Sequence, residues 1–103
     1  MTDLSFSDGT ISGITSRPGL VIVEFLDWQE KSWSLVFFNA IAYKSISCEG
    51  EEISELNVSD ETELSKEAML IEGGTGRSFC FISAWSNSVV LTVVAEGYEA
   101  TAL

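Results

Sequence analysis

The chain has 103 residues, with 16 Asp and Glu against 5 Lys and Arg and no histidine, so its formal net charge is -11. A chain of this length with a hydrophobic fraction of 46% and a mean hydropathy of +0.24 is one domain around its own core, not a solvated acidic tail. So acidic a balance argues against unaided binding to nucleic acid and against docking on an anionic membrane, since both rest on Lys and Arg.

The first 47 residues read as strands. Ser7-Asp8-Gly9 is a turn signal, and Thr10–Thr15 is β-branched and half polar. Arg17-Pro18-Gly19 makes a second turn, with proline at its first corner. Leu20–Leu26 and Ser32–Asn39 are strands joined by Asp27-Trp28-Gln29-Glu30-Lys31. Glu24 and Ser34 mark their outward faces, which sends Val21, Val23, Phe25, Trp33, Leu35 and Phe37 inward. The outward positions still include Ile22, Leu26, Val36 and Phe38, so this sheet needs cover on both sides: a second sheet, a helix or another subunit. Ala40–Ser47 is a further strand, with Ile41, Tyr43 and Ile46 as candidate core residues.

Residues 48–74 are acid-rich, nine acidic side chains against Lys66 giving a local charge of -8. Ser59-Asp60 offers an N-cap with Glu63 three residues on, and Leu64, Ala68, Met69 and Ile71 recur at helical spacing up to Gly73-Gly74. The spacing predicts one short helix at about 61–71, with an acidic first turn that suits the helix dipole. Arg77–Trp85 and Val89–Glu96 then form a hairpin around Ser86-Asn87-Ser88, and 97–103 reads as a frayed tail. The expected fold is a single α+β domain over 1–103. Its mostly antiparallel sheet has about six strands, sandwich-like or curled.

The absent residues bound the chemistry. Without histidine there is no Ser-His or Cys-His pair and no imidazole metal ligand. Cys48 and Cys80 form no Cys-x-x-Cys pair and are expected as free thiols. No Gly-x-Ser-x-Gly elbow occurs, and Tyr43 and Lys44, being adjacent on a strand, point to opposite faces. Gly73-Gly74-Thr75-Gly76-Arg77 lacks the phosphate-loop spacing and reads as a helix-to-strand connection. The Glu49-Gly50-Glu51-Glu52 order does not fit a calcium loop. Neither a signal peptide nor an apolar run of spanning length is evident, so a cytoplasmic protein is expected, and the Asn57-Val58-Ser59 sequon reads as chance. The expectation is no enzyme, no catalytic or metal residue and no cofactor.

What remains is binding. Glu49, Glu51, Glu52, Glu55, Asp60, Glu61 and Glu63 compose either a solvated acidic face or a surface for a protein partner, and Trp28 joins them as a candidate contact. Trp28 at its strand connection either folds back onto the sheet edge, the favoured reading, or stands out as an anchor. Trp33 and Trp85 are read as core.

Leu4, Phe6, Asp8-Gly9, Ile11, Ile14, Leu20, Ile22, Phe25, Asp27-Trp28, Leu35 and Phe37 together resemble the opening of small immunity-protein-like domains from bacterial toxin systems. Phe79, Phe81, Ser83-Ala84-Trp85 and Leu91, Val93-Val94-Ala95 resemble their final hairpin. The resemblance implies a stoichiometric inhibitor of a cognate toxin, and the acidic segment suits a basic one. It assigns no individual functional residue. The other readings are a structural or self-associating domain, on the strength of the outward apolar positions, and a small-ligand binder using Trp33, Phe37, Phe79, Phe81 and Trp85.

Overall fold

Alternating side chains and two tight turns build the first three strands. In the computed structural model, which describes residues 4–72 and 76–103, β1 (Gly9–Arg17), β2 (Gly19–Leu26) and β3 (Ser32–Ala40) form an antiparallel meander. Pro18 and Gly19 close the β1–β2 turn, with Gly19 at φ +78° in the left-handed region that glycine adopts freely. There follow β4 (Ala42–Ser45), β5 (Glu52–Ser59), α1 (Glu63–Glu72), β6 (Arg77–Ser83), β7 (Val89–Ala95) and β8 (Gly97–Ala102). The strands make one open antiparallel sheet in the order β4-β7-β6-β5-β1-β2-β3-β8.

The sheet has two wings. β1 and β5 join through only two residue pairs, Gly9 with Ile53 and Thr10 with Glu52. On one side of this junction lies the β1–β2–β3–β8 wing, on the other β5–β6–β7–β4. Their inner faces meet in one core. Val23, Phe25, Leu35 and Phe37 come from the first wing, and Ile53, Phe81, Leu91 and Val93 from the second, all essentially without exposure. Phe37 lies 5.3 Å from Phe79 and 5.2 Å from Tyr98, ring centre to ring centre, and Tyr98 lies 5.6 Å from Phe79. Each such ring contributes about 1.5–3 kcal/mol by leaving water, so this cluster helps hold the wings together. Gly9 is required at the junction: a Cβ there would run into the Phe25 ring and stand 2.9 Å from the Leu26 carbonyl oxygen.

The inward set on β2 and β3 is as the alternation predicts, and a short helix follows the acidic segment. The sheet has eight strands among the described residues, not six. β5 was hidden by its acidity and by a bulge between Ile53 and Glu55, which puts Ile53 and Leu56 on one face at a spacing of three. The expected tail is β8, which pairs with β3 from Trp33 to Phe38 and packs a half-buried Tyr98 against the aromatic cluster. Ala40–Ser47 shortens to β4, an edge strand, so Tyr43 and Ile46 are exposed and not core. Tyr43 instead sets its hydroxyl 3.3 Å from that of Ser16.

The helix starts two residues later than expected because Thr62, and not Asp60, is its cap. The Ser65 N–H donates to Thr62 Oγ1 at 3.1 Å and the Thr62 N–H donates to Ser65 Oγ at 2.8 Å, a reciprocal box. Thr62 Oγ1 also lies 2.8 Å from Ser78 Oγ on β6. Buried Ser65 and Ala68 let α1 lie against β4 and β7, covering the outer side of that wing, where Ser78, Thr92 and Val94 are buried. Leu70 and Ile71 point away and are exposed, so the apolar helical face ends at Ala68. The expected Gly73-Gly74 stop falls outside the described residues.

Candidate functional site at the junction of the wings

A continuous row of paired backbones crosses the molecule at the junction. Ser32 pairs with Leu26, Leu26 with Thr10 and Thr10 with Glu52, while the Ala84 N–H donates to the Glu52 carbonyl. From Leu26 to Ala84 this row covers three strand spacings, about 14 Å. Trp28 stands two residues beyond Leu26, and Trp85 directly follows Ala84. Both are exposed, Trp28 at 60% and Trp85 at 80% of full accessibility. This corrects two expectations: Trp28 does not fold back on the sheet edge, and Trp85 is not core. β6 ends at Ser83, so the in–out alternation that put Trp85 inside stops two residues short of it.

Each tryptophan sits on a turn that a buried polar side chain organises. At the β2–β3 turn the Asp27 carboxylate accepts the Gln29 N–H and the Lys31 N–H at one oxygen, both at 2.9 Å. The other oxygen accepts the Trp33 indole N–H at 2.9 Å. The Glu30 N–H closes the turn onto the Asp27 carbonyl, with Glu30 itself left-handed at φ +63°. Trp33 donation, reinforced by the Lys31 and Gln29 amides and by the Lys31 charge, outweighs burial and lowers the Asp27 pKa below its ordinary value. At the β6–β7 turn the fully buried Ser83 hydroxyl accepts the Trp85 N–H at 3.2 Å and the Ser86 N–H at 3.3 Å, and donates to Glu51. Rigid turns present a side chain at a lower ordering cost on binding.

The carboxylates divide into two groups. Glu52 belongs to the row and Glu49 and Glu51 shortly precede it in the chain, with Glu49 exposed and the other two half-buried, and exposed Asp8 immediately precedes the junction residue Gly9. Glu30 adds a charge at the Trp28 turn, where Lys31 rests its ammonium 4.9 Å from the centre of the Trp33 ring. Asp60, Glu61 and Glu63 follow the far end of β5, about 23 Å along an eight-residue strand, with Glu55 exposed between. Glu51 of the first group shares Ser83 with the Trp85 turn, while the second group stands at the other end of β5. Sequence reasoning missed Trp85, Asp8 and Glu30 as members of this site. The available signal for Trp85 was its place directly before the Ser-Asn-Ser turn.

Cys48 and Cys80 are free and buried. Among the described residues no three of His, Cys, Asp or Glu converge where they could hold a metal ion, and no helix is long and apolar enough to cross a membrane. Phe37, Phe79 and Phe81, expected by one reading to line a ligand pocket, pack on each other and on Tyr98. Comparison of the chain with protein-family models, curated proteins and solved structures finds no match.

Proposed function

We propose that the chain is a non-enzymatic protein-binding module that docks a basic partner on the junction surface, as an immunity protein would hold a cognate toxin. The observation that carries the reading is the pair of exposed indoles, Trp28 and Trp85, on turns held by buried Asp27 and Ser83 beside Glu49, Glu51 and Glu52. Tryptophan is the residue type that most often dominates binding energy, because its large rigid surface leaves water at little entropic cost. Carboxylates around it select a basic surface and speed encounter.

The test is titration calorimetry against the basic proteins encoded by genes adjacent to that of this chain. Binding is expected to weaken between about 50 mM and about 300 mM salt as screening grows. Trp28→Ala and Trp85→Ala should each weaken it by about 2 kcal/mol or more, while moving folding stability by no more than about 0.5 kcal/mol, as befits exposed positions. Binding by none of these proteins, or binding indifferent to both substitutions, overturns the proposal.

A further inference from the structure

The two wings are covered unequally. On the β5–β6–β7–β4 wing α1 lies over the outer side at β4 and β7, through Ser65 and Ala68. On the β1–β2–β3–β8 wing no described helix or strand lies over the outer side. There Leu20 pairs with Phe38 and Ile22 with Val36, four apolar side chains in one block on adjacent strands. Leu20, Ile22 and Val36 are half-buried and Phe38 is exposed. Phe38 lies over Gly97 of β8, where a Cβ would come within 2.9 Å of its ring, so the apolar block extends across the third strand.

Charge separates this face from the rest of the molecule. The outward positions paired around the block carry Glu24, Glu99 and Arg17, a local net charge of -1 on a chain of -11. A basic partner finds little to attract it here. A second copy of the chain meets little charge here, and the apolar block gains by leaving water. Four strands of about eight residues present a planar footprint of about 500 Å² before side-chain relief is counted. That is the same order as the ~800 Å² per partner of a specific interface.

We infer that the outer face of the β1–β2–β3–β8 wing is a self-association surface, occupied by the same face of a second copy in a two-fold sheet-on-sheet dimer. The apolar block is centred on Ile22, four residues along β2 from Leu26 of the junction row, and either proposal stands if the other fails.

Analytical ultracentrifugation from about 10 μM to about 1 mM protein tests it, at low salt and at about 0.3 M salt. The expected result is a monomer–dimer equilibrium that tightens as salt rises, the reverse of the salt response expected for a basic partner. Ile22→Lys with Val36→Lys should abolish the dimer. The milder pair Ile22→Thr with Val36→Thr, which retains strand propensity, should weaken it at least about tenfold. Trp85→Ala should leave it unchanged. A wild-type chain that stays monomeric at about 1 mM in both salts overturns the inference. So does a dimer that survives the threonine pair with circular dichroism unchanged, or one that loosens as salt is added.

Discussion

Asp27 organises the β2–β3 turn. It is buried, yet its two oxygens take three N–H donors, one of them the indole of Trp33. Those donors favour the ionised form, so the folded-state pKa lies below that of the unfolded chain. A carboxyl with a lowered folded pKa contributes stability at pH values above its unfolded pKa of about 3.9, and that contribution is lost as pH falls through the folded value. Asp27→Asn is therefore expected to lower the melting temperature at pH 7 and to bring the two melting temperatures together as acid is added below about pH 4. Thermal melts of both proteins across the acid range check this; parallel acid limbs would refute it. The sequence placed Asp27 in a turn, but the pairing with Trp33 needed the hairpin to close. Trp28 and Trp33 carry the same side chain, five residues apart, and only the register puts one in the core and the other in water.

Among the elements, α1 rests on its cap more than on its length. Ten residues form a marginal helix in isolation, and the box between Thr62 and Ser65 satisfies two N–H groups that would otherwise lack partners. Thr62→Ala should cost about 1.5 kcal/mol, toward the upper end of the roughly 0.5–2 range of lost N-caps, because the contact to Ser78 goes as well. Urea denaturation measures it. Asp60→Ala, at the cap position that spacing suggested, should be near neutral. β2 and β3 were legible because period-two alternation is strong where one face is buried. β5 was not, because a bulge breaks the alternation and acidic residues fill its exposed positions. β8 was not, because its short polar run acquires a buried face only when Tyr98 meets Phe37 and Phe79.

Across the whole molecule the excess negative charge opposes compaction, and salt screens that repulsion. The melting temperature of dilute monomer should rise between about 20 mM and about 300 mM salt, as followed by circular dichroism. A flat response would mean that the carboxylates are already neutralised locally. Composition, charge and alternation by themselves determined the α+β class, the antiparallel sheet, the inward faces of β2 and β3 and the presence of one short helix. These follow from local rules, in which a residue's neighbours along the chain decide its conformation. The tertiary structure alone decided that the acidic segment divides into two groups, that Trp85 stands in solvent, and that helix cover falls on one wing only. Those depend on which strands become neighbours: the two pairs that join β1 to β5 bring Glu52 between Thr10 and Ala84, residues that lie 42 and 32 positions from it along the chain.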